Sequence, residues 1–214
     1  NATRATYEIQ FGNVERETTN NYSWDTAKFE ACGHKWADLS ENSSGVSLLN
    51  DCKYGYSIKK GDMSLTLIKS GTYPNEDADI GEHRFTYSIY PHAGRWQEAK
   101  TVEMAYNLNV PMPVKRIGKQ KGCGEEYDSF LHCDKESCFI EVIKKAEDGD
   151  GVIVRMYENK NNRVRAHITS GRALVHVYEC NLLEEKEAEL TVCGTTFETV
   201  FKPYEIKTFR LIFA

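Results

Sequence analysis

Short stretches in which apolar and polar residues alternate recur along the 214-residue chain. Four of them are clear, at residues 64–68, 84–89, 164–169 and 174–178. Alternation with a period of two places apolar side chains on one face of a strand and polar side chains on the other. The pattern therefore predicts strands that each bury one face.

Residues typical of tight turns separate these predicted strands. They cluster at 60–62, 71–75 and 148–151, and Gly and Asp tolerate the positive φ angles of hairpin turns. Strands at this spacing predict an all-β fold built from antiparallel β-sandwiches. The one stretch of helical composition, residues 182–190, is short and acidic, and is interpreted as a helical turn or a charged connection.

A change of composition near the middle of the chain predicts two regions. Residues 111–122 hold two prolines, which cannot donate hydrogen bonds to a strand ladder, and then a basic, glycine-containing run without an apolar face. We interpret them as a linker between residues 1–110 and 123–214. The second region fits a small immunoglobulin-like β-sandwich of about seven strands. The first begins within strand-like sequence, so we expect it to be the C-terminal part of a large β-sandwich, a partial super-sandwich.

The composition argues against several classes of function. The net charge is −5, and no basic stripe is present that could displace counterions from a nucleic acid. No apolar run approaches the roughly 20 residues that span a bilayer, so no membrane partner is expected. Seven scattered cysteines, an odd number, argue against a disulfide framework and favour reduced, buried thiols in a cytoplasmic protein.

Two polar groups of residues leave alternatives open. Residues 75–83 carry four carboxylates and a histidine, which suits a calcium loop, an acid–base pair facing a sugar, or a solvated turn. The third ligand position of an EF-hand and its final glutamate are missing. Cys123, His132, Cys133 and Cys138 are candidates for a zinc site, but their spacing lacks a C-x₂-C pair, which favours unligated thiols.

Aromatic and charged residues are interleaved in residues 34–41 and 50–56. Aromatic rings stack on the C–H faces of sugars and carboxylates accept hydrogen bonds from hydroxyl groups, so such mixtures suit polyol ligands. The alternative is that the aromatic rings are core anchors with satisfied polar tips. Trp24 and Trp36 are expected to be core or interface anchors of the first region.

Eight segments stand in an order that resembles a known enzyme family. They are FGNVER at 11–16, NYSWDTAKFE at 21–30, HKWADLSE at 34–41, GVSLLNDCKYG at 45–55, ADIGEHRFTY at 78–87, YPH at 90–92, YEN at 157–159 and FKPYEIKTF at 201–209. Together they resemble the C-terminal part of glycoside hydrolase family 38, the α-mannosidases, and its cytosolic, vacuolar and bacterial branch most of all. The chain departs from the family at Glu17-Thr18, where Pro-Thr is usual, and in the linker with its cysteine-rich continuation.

The resemblance implies that the parent enzyme is a retaining, metal-dependent exo-α-mannosidase acting on terminal α-mannosides. In this family the nucleophilic aspartate and the ligands of zinc, or of another divalent metal, lie in or just after an N-terminal domain. No catalytic residue, metal ligand or cofactor is therefore expected in this chain, which should be inactive alone. Its expected partners are that catalytic domain, mannose-containing oligosaccharides and a second copy of the protein.

The resemblance also implies that loops of this region border the sugar site. The predicted substrate-positioning residues are Asp51, Lys53, Tyr54, Asp79, Glu82 and His83. The alternative hypothesis is a freestanding carbohydrate-binding module. Such a module needs an exposed row of aromatic side chains, for which the candidates are Trp24, Trp36, Tyr54, Tyr73 and Trp96.

Overall fold

A computed structural model describes residues 2–119, 121–122 and 128–214 of the chain. The chain divides into two compact units, Asn1–Arg116 and Ile117–Ala214. Strands dominate both units, which confirms the predicted all-β class. Neither described helix is long and apolar enough to cross a membrane. Cys123, one of the candidate zinc ligands, lies outside the described residues.

The first unit contains two antiparallel sheets that enclose a small core. In chain order its elements are β1 (Arg4–Ile9), β2 (Gly12–Glu17), α1 (Ser23–Ala27), β3 (Ala31–Cys32), β4 (Trp36–Ser40), β5 (Ser44–Asn50), β6 (Gly55–Lys59), β7 (Asp62–Leu65), β8 (Tyr87–Ala93) and α2 (Thr101–Asn109). The larger sheet has the strand order β2-β1-β4-β5-β8 and the smaller sheet the order β3-β6-β7. Alternation along β6 buries Tyr56 and Ile58 against Tyr7 of β1, so the core lies between the two sheets.

Two predicted strands of the first unit are displaced along the chain. The strand expected at 64–68 is β7, which ends at Leu65, and the strand expected at 84–89 is β8, which starts at Tyr87. Tyr87 pairs with Asn50, the last residue of β5. Strand β5 therefore offers no pairing partner for residues 84–86. Residues 66–86 form neither helix nor strand and are mostly exposed.

The alternating pattern does not predict helix α2. Its buried residues are Thr101, Val102 and Ala105, and the helix packs against β5 and β4. Three small buried residues make a narrow apolar stripe, which is a weak helical signal in a sequence. The helix was therefore missed.

The second unit is a β-sandwich of nine described strands. They are β9 (Leu131–Cys133), β10 (Cys138–Lys145), β11 (Val152–Glu158), β12 (Val164–Ser170), β13 (Leu174–Cys180), β14 (Lys186–Leu190), β15 (Val192–Cys193), β16 (Thr196–Phe201) and β17 (Ile206–Phe213). One sheet has the order β10-β11-β17-β13-β14 and the other the order β15-β16-β12-β9. Phe209 of β17 contacts Phe197 and Phe201 of β16, with ring centroids 5.2 and 6.4 Å apart, so apolar side chains of both sheets meet in one core.

The interpretation of residues 182–190 as a helical turn or a charged connection is wrong for their second half. Lys186–Leu190 is strand β14, which pairs with β13 at the edge of the larger sheet. Lys186, Glu187 and Glu189 are exposed. Charged side chains on an edge strand oppose pairing with other chains, which explains a strand of helical composition.

Candidate functional site

A cleft of about 610 Å³ opens in the first unit where β1, β4 and β5 meet the segment after β5. Its walls include Glu8, His34, Lys35, Asp51 and Tyr54. It lies at the ends of these strands, where side chains are released from the ladder and can turn toward a ligand. We call it the Tyr54 cleft.

Asn50 shapes the rim of the Tyr54 cleft. Its side chain is 1% exposed and donates a hydrogen bond to the carbonyl oxygen of His34 at 3.0 Å. Its Oδ1 atom accepts hydrogen bonds from the backbone N–H groups of Cys52 and Lys53. Asn109 of α2 donates to the Asn50 carbonyl oxygen at 3.0 Å. One buried amide therefore fixes the tight turn that presents the residues after β5.

A partly buried ion pair forms the floor of the cleft. The Glu8 carboxylate is 2.7 Å from Lys35 Nζ, and its second oxygen accepts the Lys35 backbone N–H at 2.8 Å. The backbone N–H of His34 donates to the Glu8 carbonyl oxygen at 3.0 Å. The His34 ring then meets the Tyr54 ring edge to face, with centroids 5.5 Å apart. The floor is thus rigid, polar and bordered by aromatic rings.

The structure places two of the six predicted positioning residues on this cleft, Asp51 and Tyr54. Tyr54 is 57% exposed, so its ring can accept a ligand. The Asp51 carboxylate accepts the backbone N–H of Thr86 at 2.9 Å, and this bond lowers the pKa of Asp51. Lys53 instead turns its ammonium group over the ring of Phe85, 4.7 Å from the centroid.

The other three predicted residues, Asp79, Glu82 and His83, do not line the cleft. They lie on the exposed segment 66–86, where His83 Nε2 is 2.7 Å from the Asp79 carbonyl oxygen and Glu82 pairs with Arg84 at 2.7 Å. Asp51 joins this segment to the cleft rim, because its backbone N–H donates to the Thr86 carbonyl oxygen and its carboxylate accepts the Thr86 N–H. The substrate-positioning role of Asp79, Glu82 and His83 stays a prediction.

A buried polar network in the larger sheet was not predicted from the sequence. Asp38 accepts hydrogen bonds from Ser40 at 2.6 Å, from Ser47 at 2.7 Å and from His92 Nε2 at 2.8 Å. Ser47 also contacts the hydroxyl group of Thr101 at 2.9 Å. Because Ser47 and His92 both bond the carboxylate and not each other, this is not a nucleophile–base arrangement. It joins β4, β5, β8 and α2 in the sheet that carries the cleft.

Trp24 corrects one expectation and defines a second cleft. It is 67% exposed on the short helix α1, so it is not a core anchor, whereas Trp36 is 1% exposed and is one. Trp24, Phe29 and Arg16 line an opening of about 480 Å³, which we call the Trp24 cleft. The Arg16 guanidinium group lies over the Tyr7 ring at 4.6 Å, and its buried Nη1 atom has no hydrogen-bond partner among the described protein atoms.

Comparison with protein families gives two matches. The model described as "Glycosyl hydrolases family 38 C-terminal domain" matches residues 1–77, and the one described as "Glycosyl hydrolases family 38 C-terminal beta sandwich domain" matches residues 138–209. The first match contains the whole Tyr54 cleft except Asn109. The second falls within the nine-stranded sandwich.

Curated relatives match almost the whole chain. Alpha-mannosidase G of Dictyostelium discoideum is 42% identical over 215 residues, and the alpha-mannosidase of Saccharomyces cerevisiae is 35% identical over 233 residues. Mouse alpha-mannosidase 2C1 is 34% identical over 214 residues. These matches cover 98–99% of this chain but only 20–21% of each relative, so the chain spans about one fifth of their length.

Solved structures share the fold. A family 38 glycosyl hydrolase from Enterococcus faecalis superposes with a TM-score of 0.76 at 16% identity, covering 97% of this chain and 25% of that one. An α-mannosidase from Enterococcus faecalis V583 gives 0.79 at 17% identity, covering 97% and 24%. At these identities the likeness concerns the fold.

Proposed function

The chain belongs to glycosyl hydrolase family 38 and corresponds to the C-terminal region of such an enzyme. From this premise we propose that it borders the sugar site of a retaining exo-α-mannosidase. In this proposal the chain is not catalytic alone. The observation that carries it is the Tyr54 cleft, which combines an exposed aromatic ring, an acceptor carboxylate and a rigid polar floor within the matched domain. An N-terminal catalytic domain of the same protein would supply the nucleophile.

Each group of the cleft suits a terminal mannose unit. The exposed Tyr54 ring offers a face for the C–H side of a sugar. Hydrogen bonding lowers the pKa of Asp51, so at neutral pH this carboxylate is ionised and accepts hydrogen bonds from hydroxyl groups. A general acid would need a raised pKa instead. The proposed role of Asp51 is therefore to position the substrate.

The segment 66–86, with Asp79, Glu82 and His83, is proposed to extend this rim. These side chains are exposed, and the segment is joined to the cleft through Asp51 and Thr86. The proposal also includes the remaining expectations of the resemblance: mannose-containing oligosaccharides as substrates, a cytoplasmic location and self-association of the full protein.

The described residues of this chain do not fit the divalent metal that the family implies. They hold no group of three or more His, Cys, Asp or Glu side chains placed to bind an ion. In the Tyr54 cleft, the Glu8 carboxylate is already occupied by Lys35. In this proposal the catalytic domain holds the zinc or other divalent ion of the enzyme.

Turnover by the isolated chain tests the non-catalytic role. The purified 214 residues should not hydrolyse an aryl α-mannoside, with or without added zinc. Metal-dependent turnover above the rate of a buffer blank would overturn the proposal.

Substitutions in the full-length protein test the rim. Tyr54→Ala should lower kcat/KM for an aryl α-mannoside roughly tenfold or more, because a lost positioning contact weakens transition-state binding. Tyr22→Ala is the matched control, since Tyr22 is 74% exposed and lies outside both the cleft and the segment 66–86. Equal kcat/KM values for the two variants would remove Tyr54 from the sugar site.

A second candidate function, sugar binding without catalysis, is favoured by the Trp24 cleft. Two of the five aromatic candidates for a binding module are excluded, because Trp36 and Trp96 are 1% and 5% exposed. Trp24 instead lines an opening that also holds an unpartnered Arg16 N–H group. Calorimetric titration of the chain with mannose and manno-oligosaccharides tests it. Binding that Trp24→Ala abolishes and Tyr54→Ala preserves supports this function, and absence of binding by the wild-type chain rejects it.

A further inference from the structure

Cys133 and Cys138 lie at the point where the chain crosses between the two sheets of the second unit. Cys133 is the last residue of β9 and Cys138 the first residue of β10. Both strands are edge strands, β9 of the four-stranded sheet and β10 of the five-stranded sheet. Residues 134–137 connect them.

Backbone hydrogen bonds hold this crossing in one conformation. The N–H of Cys138 donates to the Lys135 carbonyl oxygen at 3.0 Å, which closes a turn. The N–H of Asp134 donates to the His167 carbonyl oxygen at 3.1 Å, and the N–H of Asn159 donates to the Ser137 carbonyl oxygen at 2.8 Å. Both ends of the turn are thus tied to the sandwich, and the two cysteines are kept together.

The two thiols lie close enough to shift each other's pKa, and Cys133 packs against the core cluster to which Cys138 belongs. Cys138 is 6% exposed, whereas Cys133 is only partly buried. A reagent in solution therefore reaches Cys133 first, and Cys138 lies behind it at the other end of the four-residue crossing.

The pair has the charge distribution of a reactive dithiol. The hydrogen bond with Cys138, together with a backbone bond at Lys135, outweighs the effect of burial and lowers the pKa of Cys133 to about 7. The same hydrogen bond, together with burial, raises the pKa of Cys138. At neutral pH a large fraction of Cys133 is thiolate, the form that attacks disulfides.

We propose that Cys133 and Cys138 are a reversible redox site, which a low-molecular-weight disulfide such as oxidised glutathione converts to an intramolecular disulfide. The Cys133 thiolate attacks one sulfur of glutathione disulfide and releases one glutathione thiolate. Cys138 then loses its proton to water and attacks Cys133 Sγ, which releases the second glutathione. The protein loses two hydrogen atoms, and one glutathione disulfide becomes two thiols. An excess of reduced thiol reverses both steps.

The new bond would join the two sheets at their open edges. In the reduced chain, β9 and β10 are linked through the four residues of the crossing and through side-chain contacts. A covalent bond across a short loop restricts the unfolded chain and holds both edges together. The oxidised second unit should therefore unfold at a higher temperature than the reduced one.

Peptide mass spectrometry tests the proposal, because trypsin cleaves after Lys135, between the two cysteines. The reduced chain is incubated with oxidised glutathione, its free thiols are blocked with N-ethylmaleimide, and it is digested. The peptides that contain Cys133 and Cys138 should remain linked, with the mass of a pair that has lost two hydrogens, and dithiothreitol should separate them. Alkylation of both cysteines after oxidation would overturn the proposal.

Matched variants assign the link, since Cys123 shares a tryptic peptide with Cys133. C123S should keep the link and C133S should lose it, and a link that persists in C133S would refute the pairing. If C133S fails to fold, the melting temperature of the wild-type chain still tests the bond. Adding dithiothreitol to the oxidised chain should lower its melting temperature by about 5 °C or more, and an unchanged value counts against the bond between the sheets.

Discussion

The two units of the chain differ in the size of their apolar clusters. In the second unit, twelve buried residues form one apolar cluster, to which Phe209 of one sheet and Phe197 and Phe201 of the other belong. In the first unit, the apolar cluster has five buried members, and the same larger sheet also buries the Asp38 network. Both units bury polar side chains, Glu158 and Arg210 of the second unit among them, so the difference lies in the apolar cluster, which is larger in the second unit.

This difference matches what each unit offers at its surface. The Tyr54 cleft and the Trp24 cleft both belong to the first unit, as do the exposed aromatic residues Trp24 and Tyr73. A polar network requires defined donor and acceptor positions, so it fixes strand ends more narrowly than apolar packing does. The first unit thus combines the smaller apolar cluster with exposed groups available for recognition, and the hydrogen bonds of Asn50 and Glu8 hold the Tyr54 cleft.

Phe209→Ala should be among the most destabilising of the changes considered, because it empties the centre of the apolar core. Phe209 is 0% exposed and contacts both Phe197 and Phe201. The free energy of unfolding should fall by about 3–5 kcal/mol in urea titrations. Phe130→Ala is the control, because Phe130 is 38% exposed and should cost less than about 1.5 kcal/mol. Similar losses for the two variants would contradict a single apolar core.

Asp38→Ala tests the polar interior of the first unit. It leaves the donors of Ser40, Ser47 and His92 without their acceptor, and an unsatisfied buried donor costs about 1–3 kcal/mol. The free energy of unfolding should therefore fall by roughly 2–4 kcal/mol. Asp62→Ala, at an exposed position of the β6–β7 hairpin, should change it by less than about 0.5 kcal/mol. A loss below about 1 kcal/mol for Asp38→Ala would show that the network does not support the sheet.

The contrast between the units also explains what could be predicted from the sequence. Strands β12 and β13 of the second unit were located within one or two residues, because apolar packing leaves a period-two pattern. The turn at 60–62 was also predicted correctly, since Lys60 and Gly61 both have positive φ. Strand β14 was misread, because its exposed edge position allows a helical composition.

The candidate site could be predicted only in part. Asp51 and Tyr54 lie in a stretch whose interleaved aromatic and charged residues suit a polyol ligand. Both were predicted to position the substrate, and the structure places both on one cleft. Glu8 and Asn109 were missed, because their contribution depends on strand pairing and helix packing that bring distant residues together. The Asp38 network was missed for the same reason, since His92 is 54 residues away in the chain.

Trp24→Ala should have a small effect and separates surface aromatics from core aromatics within the first unit. Trp24 is 67% exposed, so its removal should lower the free energy of unfolding by less than about 1 kcal/mol. Trp36→Ala is the matched comparison and should cost about 3–5 kcal/mol, because that ring is 1% exposed and contacts Trp96. A cost above about 2 kcal/mol for Trp24 would show that it is an anchor after all.

The smallest expected effect on stability comes from a pH-dependent group on the surface of the second unit. His167 Nδ1 is 3.1 Å from Asp134 and its Nε2 is 3.0 Å from Glu198. The bond with Asp134 is the main cause that raises the pKa of His167, and hydrogen bonds from Lys135 and His167 hold the pKa of Asp134 well below its usual range. Both shifts favour the doubly charged pair.

The signs of the two shifts define a pH window for this group. The raised pKa of His167 gives stability that is complete below the unfolded value of about 6.5 and is lost as pH rises through the folded value. The lowered pKa of Asp134 gives stability present above about 3.9 and lost as pH falls. The pair is therefore fully favourable between about pH 4 and 6.5, and salt weakens it because His167 is half exposed.

NMR titration of the His167 ring should show a lower pKa in Asp134→Asn and an unchanged one in Glu189→Gln, whose carboxylate pairs with His176. If Asp134→Asn leaves the titration of His167 unchanged, Asp134 does not control the pKa of this histidine, and the pair gives the second unit no pH-dependent stability.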